Sequence, residues 1–150
     1  MKPQTNMLTQ KVFENVKSHE EIQSFLNLRM QVFVGEYGYN PDIEIDDQEC
    51  EAVHIGIFDE DKLVAGVRLL ESHGVLKLGR LIVQKEYRCC GLGSKLVERA
   101  HKYAREKGLV AIELYARTPT TGFYEKFGYI QDSEEQIFSR VGHIHMRKVL

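Results

Sequence analysis

The spacing of hydrophobic residues changes from a strand-like to a helical period near the start of the chain. Segment 11–17, KVFENVK, alternates imperfectly between apolar and polar residues and predicts a strand. Ser18 and Glu21 have the spacing of a capping box, which predicts that a helix begins there. Hydrophobic residues at helical spacing extend this helix towards Gly35: Ile22, Phe25, Leu26, Met30 and Phe33.

Three strands are expected in the middle of the chain. Segment 53–58, VHIGIF, alternates as a strand does, and the polar turn DEDK joins it to 63–71, LVAGVRLLE, as a hairpin. A second turn at 72–74 leads into 75–83, VLKLGRLIV, which is apolar enough to predict a third strand.

The strongest helical pattern begins after residue 91. Lys107 and Gly108 are typical of a helix end, because a cation and a left-handed glycine satisfy the last turn. Segment 109–116, LVAIELYA, then predicts a strand covered on both faces. A short helix at 120–127 and two strands, 136–141 and 143–149, complete the prediction. The apolar face of the long helix comprises Leu92, Leu96, Ala100, Tyr103 and Ala104.

This order of elements predicts an α/β (α+β) domain with a mixed sheet rather than an alternating, doubly wound one. The 150 residues fit a single domain, 1–150, in which we expect residues 1–10 to form a loose segment. Hydrophobic residues make up 43% of the chain and charged residues 28%, which is ordinary for a globular domain.

Charge and hydropathy exclude several classes of protein. The net charge is −2 and no basic tract is present, so we expect no nucleic acid partner. No apolar run approaches the ~20 residues of a membrane span, and no leader-like segment opens the chain, so we expect a cytoplasmic protein without a membrane partner. Cys50, Cys89 and Cys90 form no disulfide framework or zinc pattern, and the pair His143 and His145 lacks a visible third ligand. We therefore expect no metal.

Residues 88–94, RCCGLGS, connect the third central strand to the long helix. A strand that passes through glycines into a helix presents free backbone N–H groups, which predicts an anion site. The Walker pattern fails here because its earlier glycine is absent. The dinucleotide fingerprint fails in strict form because its third glycine position holds Leu96.

Two segments carry a resemblance to a known family. Residues 88–93 resemble the R/Q-x-x-G-x-G/A pyrophosphate loop of the GNAT superfamily of N-acetyltransferases, and 122–129, GFYEKFGY, is similar to the segment that follows strand five in these enzymes. The order of elements from Lys11 to Leu150 is similar too. The resemblance implies a GNAT-like, mostly antiparallel sheet of about six to seven strands flanked by helices. It also implies an acyltransferase that uses acetyl-coenzyme A and acetylates a primary amine of a small molecule or peptide.

The resemblance further implies roles for particular residues. Tyr124 is implied as the proton donor to the departing thiolate, in a direct transfer within a ternary complex. Backbone groups of Leu81, Ile82 and Val83 are implied to hold the pantetheine arm and the thioester. The implied pyrophosphate loop comprises Arg88, Cys89, Cys90, Gly91, Leu92, Gly93 and Ser94. Homodimers are common in the superfamily, and the oligomeric state here is open.

The general base is not identified from the sequence. Relatives often carry a carboxylate on the donor strand where this chain has Gly79 and Arg80. Segment 42–51 contains six carboxylates and either lines the acceptor cleft, where it would attract a cationic amine, or is a solvated loop. The remaining candidates for the base are Glu44, Asp46 and Asp47 together with His54, or Glu113 acting through water.

Two other functions are consistent with the same motifs. The first is a non-catalytic domain that binds acetyl-coenzyme A as a sensor, which the missing carboxylate favours and Tyr124 opposes. The second is a nucleotide-binding α/β domain, which the absent lysine and third glycine oppose.

Overall fold

The computed structural model describes residues 7–41, 46–138 and 141–150. Within these residues, eight strands form one sheet. In chain order the strands are β1 Thr9–Phe13, β2 Val53–Asp59, β3 Lys62–Ser72, β4 Val75–Val83, β5 Ala111–Arg117, β6 Ile130–Gln131, β7 Gln136–Phe138 and β8 Val141–Val149.

Three α-helices lie among the described residues: α1 Gln23–Arg29, α2 Leu92–Glu106 and α3 Thr121–Glu125. A 3₁₀ turn, His19–Ile22, precedes α1, and a π-helical segment, Met30–Glu36, continues it. Shorter 3₁₀ turns at Lys85–Tyr87 and Thr118–Thr120 precede α2 and α3. No helix among the described residues is long and apolar enough to cross a lipid bilayer.

The sheet has the order β1-β2-β3-β4-β5-β8-β6, and β7 pairs with β8. Strands β4 and β5 are parallel, and every other pair in the described sheet is antiparallel. The expected mixed, mostly antiparallel sheet is therefore confirmed, with eight strands instead of six to seven.

The ends of several elements differ from the sequence prediction. Strand β1 begins at Thr9, so the last two residues of the segment expected to be loose pair with β2, whereas residues 1–6 lie outside the described chain. The Ser18 side chain makes no capping hydrogen bond, and the Glu21 carboxylate accepts one from the Lys17 N–H at 2.9 Å. Strand β8 continues through Gly142, because glycine is tolerated in a ladder held by β5 and β7.

Helix α2 covers one face of the sheet and forms the larger core. Its apolar stripe is almost fully buried, as the period of 3.6 residues predicts. It packs on alternate residues of the central strands, which alternate in the direction of their side chains. The packed residues include Leu92, Leu96, Val97, Ala100, Ile55, Val67, Leu76, Leu78, Ile112 and Leu114.

Helix α1 covers the other face, but only over the first half of the sheet. The Phe25 ring lies directly over Gly56 and Gly66, where an added Cβ would meet Phe25 carbons at 2.8 Å and 2.9 Å. These two glycines therefore permit the close approach of helix and sheet. Beyond β4, no described helix covers this face, and the side chains of β5 and β8 form its surface.

Candidate functional site

A cleft opens where β4 and β5 separate. The two strands pair only from Val75 to Lys77 on β4 and from Ala111 to Glu113 on β5. Beyond these residues the strands diverge and leave a cleft of about 810 Å³. Its lining among the described residues is Phe33, Tyr39, Lys77, Leu78, Gly79, Arg80, Leu81, Leu114, Tyr115, Arg117, Pro119, Thr120, Phe123, Tyr124, Phe138 and His143.

A β-bulge on β4 shapes the floor of this cleft. Gly66 of β3 pairs with Ile82 of β4, and Arg68 of β3 pairs with Gly79 of β4. Two steps along β3 therefore correspond to three steps along β4, so β4 carries one extra residue. Arg80 adopts a positive φ of 54° at this point, which is a costly conformation for a residue with a Cβ. The bulge redirects the strand at the place where it separates from β5.

The bulge also determines which backbone groups face the cleft. The Gln84 N–H donates to the Val64 carbonyl on β3 at 2.8 Å, so the backbone groups of Gln84 and, two residues earlier, Ile82 face β3. The backbone groups of Leu81 and Val83 consequently point away from β3, into the gap between β4 and β5. The Val83 carbonyl there accepts a hydrogen bond from Arg88 Nε at 2.9 Å.

The loop before α2 presents unpaired backbone donors. Gly91, with φ 79°, is the N-cap of α2, and the first helical hydrogen bond runs from the Lys95 N–H to the Gly91 carbonyl at 3.1 Å. The N–H groups of residues 92–94 precede that bond and have no helical acceptor. Cys89, with φ 60°, is exposed, and the Cys90 thiol donates to the Arg88 carbonyl at 3.5 Å.

Arg88 connects this loop to the π-helical segment. Its Nη1 and Nη2 atoms donate to the two carboxylate oxygens of Glu36 at 3.1 Å and 2.6 Å. The hydrogen bond to Glu36 raises the pKa of Arg88 above its ordinary value, against a smaller opposing effect of burial. The guanidinium side chain is therefore held between Glu36 and the carbonyl of Val83.

Tyr124 lies on α3 at the cleft and is only 8% exposed. Its ring packs edge-on against Phe123, with centroids 5.0 Å apart, and against Tyr129 at 5.9 Å. Burial raises the pKa of Tyr124 to about 12, and the charge of Arg117 acts in the opposite direction. The hydroxyl is thus protonated at neutral pH.

One wall of the cleft, formed by β5, β8 and Lys77 of β4, is cationic and aromatic. Lys77 Nζ lies 5.5 Å from the centroid of the Tyr115 ring, and the Arg117 guanidinium lies 4.6 Å from that of Tyr37. His143 donates from Nδ1 to the Val141 carbonyl at 2.9 Å, because a carbonyl can only accept. In the neutral imidazole, Nε2 then keeps its lone pair.

The residues considered as general base from the sequence do not line this cleft, as far as they are described. Glu44 lies outside the described residues, Asp47 is exposed, and Asp46 accepts from Arg68 at 2.8 Å and from Arg80 at 3.4 Å. His54 is fully buried, and Glu113 pairs with His145 at 3.2 Å. The cleft does receive His143, which the alternation on β8 places on the face of Tyr115 and Arg117.

A buried network of charges lies beside the floor of the cleft and was not anticipated from the sequence. The Glu49 carboxylate accepts from Arg29 at 2.7 Å and from His54 Nε2 at 3.4 Å, and it lies 3.3 Å from Arg68. Burial alone raises the pKa of Glu49, but hydrogen bonds from His54 and Arg29 and the nearby arginine charges hold it well below its ordinary value. Burial lowers the pKa of His54, so this histidine is neutral.

One sequence signal could have indicated this network. Arg29 follows Phe25 by one helical turn on the buried face of α1, and Arg68 occupies an inward position of an otherwise apolar strand. A buried arginine requires a partner carboxylate. The described acidic residues of segment 42–51 include two such partners, Asp46 and Glu49.

The described residues contain no group of three or more His, Cys, Asp or Glu side chains that could hold a metal ion. Cys50, Cys89 and Cys90 form no disulfide with one another and belong to no such group. The cleft itself offers backbone amides, the Tyr124 hydroxyl and the cationic side chains of its wall.

Comparisons with known proteins concern the family and the fold of the chain. Residues 12–150 match the family model described as an acetyltransferase (GNAT) domain. An uncharacterized N-acetyltransferase of Bacillus subtilis, YjcF, is 32% identical over 133 residues, which cover 88% of this chain and 95% of the relative. The crystal structure of an acyl-CoA N-acyltransferase from Pseudomonas aeruginosa is 27% identical, with a TM-score of 0.86, over 94% of this chain and 99% of that one.

A more distant structure contains a ligand. The PaiA N-acetyltransferase of Thermoplasma acidophilum, solved in complex with coenzyme A, has a TM-score of 0.70 at 18% identity and covers 95% of this chain and 99% of its own. At this identity the likeness concerns the fold alone. It shows that a sheet of this kind binds coenzyme A in another protein.

Proposed function

Because the chain belongs to the GNAT family of acetyltransferases, we propose that it transfers an acetyl group from acetyl-coenzyme A to a primary amine by direct transfer in a ternary complex. The chain is an acyltransferase, and the donor, the amine and the order of events are the proposal. The observation that carries it is the separation of β4 and β5 between the loop before α2 and the buried Tyr124.

The donor would occupy the β4 side of the cleft. The unpaired N–H groups of residues 92–94, at the positive end of the α2 dipole, suit a pyrophosphate. The pantetheine amides suit the backbone groups of Leu81 and Val83, which face away from β3, as an added strand would. Ile82 supports this edge through its pairing with Gly66, and Cys89 and Cys90 contribute only backbone groups.

The chemical step requires two proton transfers. The nitrogen of the neutral amine attacks the thioester carbonyl carbon, a C–N bond forms, and the C–S bond breaks with both electrons on sulfur. We assign the first transfer, from the attacking nitrogen, to Nε2 of His143, which lines the cleft with its lone pair available. A backbone N–H beside the bulge at Arg80 would stabilise the developing oxyanion.

Tyr124 is assigned the second transfer, from its hydroxyl to the thiolate. Its raised pKa keeps this proton in place until the thiolate forms. A thiolate in the same cleft is also poorly solvated, which raises its proton affinity and favours the transfer. The tyrosinate then regains a proton from solvent and the imidazolium of His143 releases one to solvent, so the products are coenzyme A and the N-acetylated amine.

Ligand-dependent thermal stability and thiol release test the proposal together. Acetyl-coenzyme A and coenzyme A at ~100 times their Kd should stabilise the native state by ~2.7 kcal/mol, whereas ATP and NAD should not. Thiol release should then depend on an added amine. Stabilisation by ATP or NAD alone would contradict the proposal, and tight coenzyme A binding without thiol release from any amine would indicate a sensor.

A further inference from the structure

We propose that the acceptor is a small primary amine that carries a carboxylate and a flat apolar group, as an aromatic amino acid does, and that Lys77 and Arg117 bind the carboxylate. The inference rests on the proposed function, because it names the substrate class of the same cleft. It concerns the cleft wall that Lys77 of β4 forms with side chains of β5 and β8.

Two cations on neighbouring strands carry the inference. Lys77 and Arg117 both line the cleft, and neither forms an ion pair with a carboxylate in the part of the chain that the structure describes. Each cation instead lies on an aromatic ring, Tyr115 for Lys77 and Tyr37 for Arg117. Such contacts orient a cation without neutralising its charge, so both remain available to an anion.

The described lining of the cleft contains no Asp or Glu side chain. The described carboxylates of segment 42–51 that lie nearest the sheet are already paired, Asp46 with Arg68 and Arg80, and Glu49 with Arg29. A polycationic acceptor would therefore meet the like charges of Lys77 and Arg117 and no carboxylate among the described lining residues. An amine whose own carboxylate faces Lys77 and Arg117 avoids this repulsion.

Aromatic side chains account for the flat apolar group. Tyr115 and Phe138 are 41% and 44% exposed, and their rings meet edge-on with centroids 5.5 Å apart. Across the cleft, the rings of Phe33 and Tyr39 stack at 5.8 Å with an interplanar angle of 11°. Rings on both walls favour an aromatic or otherwise planar ligand between them.

Gly79 leaves room for this ligand on the floor of the cleft. A Cβ added at Gly79 would meet no heavy atom within 4 Å. Gly79 lies two residues after Lys77 and on the same face of β4. At Gly79, β4 and β5 no longer pair, so the space above it opens into the cleft. The donor and a small acceptor can therefore approach from the two sides of the separation.

The first experiment compares matched amines by thiol release from acetyl-coenzyme A. The panel contains aromatic amino acids, their amides and their decarboxylated amines, with spermidine as a polycation. O-phosphoethanolamine and β-alanine distinguish a phosphate from a carboxylate. We expect kcat/KM for the amino acid to exceed that for its amide at least ~10-fold, the size of one charge-assisted hydrogen bond. A preference for spermidine, or for the phosphorylated amine, overturns the inference.

Variants test whether the two cations cause the preference. Lys77→Gln and Arg117→Gln should each reduce the ratio of kcat/KM for the amino acid to kcat/KM for its amide at least ~10-fold. A structural defect would instead lower both values of kcat/KM together. Arg105→Gln and Lys102→Gln, exposed cations of α2 outside the cleft, are the matched controls. An unchanged ratio in both cleft variants contradicts the assignment.

Binding measurements separate failure of this inference from failure of the proposed function. Calorimetry with acetyl-coenzyme A tests the donor site, and loss of that binding rejects the proposed function itself. The enzyme saturated with coenzyme A is then titrated with an N-acetylated aromatic amino acid and with its amide. Tighter binding of the N-acetylated amino acid than of its amide supports the inference. The inference is overturned if the N-acetylated amino acid does not bind and no amine with a carboxylate reacts in the first experiment.

Discussion

Arg88 and Glu36 form a bidentate ion pair that joins the loop before α2 to the end of the π-helical segment, with Nη1–Oε1 and Nη2–Oε2 distances of 3.1 Å and 2.6 Å. The same guanidinium donates to the Val83 carbonyl at 2.9 Å. One side chain therefore links the proposed pyrophosphate loop, the edge of β4 and the helix that carries Phe33 of the cleft wall. This arrangement gives the first prediction.

Arg88→Gln should weaken acetyl-coenzyme A binding about tenfold, because the loop loses a charge and its connection to β4. Glu36→Gln removes the partner but keeps the cation, so we expect binding that is unchanged or tighter. Calorimetry at two salt concentrations measures both variants. Equal weakening by the two substitutions would show that the pair contributes through structure alone.

Tyr124→Phe should lower kcat about 100-fold with little change in the Kd of acetyl-coenzyme A, because it removes a proton donor without removing the ring. Tyr103→Phe, in α2 and outside the cleft, is the control. Stopped-flow thiol release and calorimetry give the two constants. An undiminished kcat would exclude Tyr124 as the donor.

His143→Gln should lower kcat/KM about 100-fold, because the amide cannot accept the amine proton. The deficit should shrink at high pH, where more of the amine is already neutral. His73→Gln, at an exposed turn of the hairpin, is the control. A pH-independent deficit, or none, would assign the base to another group.

Glu49→Gln should destabilise the fold by about 3 kcal/mol, because it leaves Arg29 buried without a counter-charge. The pKa of Glu49 is lower in the native state than its ordinary value of 4.5. The carboxylate therefore stabilises the fold at any pH above 4.5, and this contribution is lost as the pH falls below that value. Urea denaturation measures the effect, with the exposed Glu51→Gln as control. Equal stability of the two variants would contradict it.

Acid should also destabilise the protein through a buried histidine, His101. Burial lowers the pKa of His101 from 6.5 to about 4, so between these values the unfolded chain binds a proton that the native chain does not. Stability should therefore decrease by about 3 kcal/mol as the pH falls from 6.5 to 4. His54, also with a lowered pKa, adds in the same direction.

His101→Gln removes this titration while retaining a polar group opposite the Tyr129 hydroxyl, which lies 2.8 Å from Nε2 of His101. The slope of stability against pH should decrease in this variant, and it should not change in the exposed control His19→Gln. Thermal unfolding at pH 4 to 7 compares the three proteins. A slope that His101→Gln leaves unchanged would refute the assignment.

Local patterns were sufficient to predict most elements. These elements depend on residues only a few positions apart in the chain. They include the apolar stripe of α2, the glycines at 91, 93 and 108 that flank or begin this helix, and the hairpin of β2 and β3. Backbone geometry at such distances follows from periodicity and turn chemistry. The GNAT superfamily was indicated by the resemblance of residues 88–93 and 122–129 to its motifs, and the family comparison confirmed it.

The sequence by itself thus determined most of the helices and strands, though not the two-residue β6, and the glycine turn that precedes α2. Only the tertiary structure decided the charge of the cleft wall, the pairing of Arg29 with Glu49 across 20 positions and that of Arg88 with Glu36 across 52. These contacts depend on strand order, the bulge at Arg80 and the divergence of β4 from β5. Local patterns indicate that Arg29 and Arg68 are buried but not which residues they pair with, because ion pairs form between side chains that packing alone brings together.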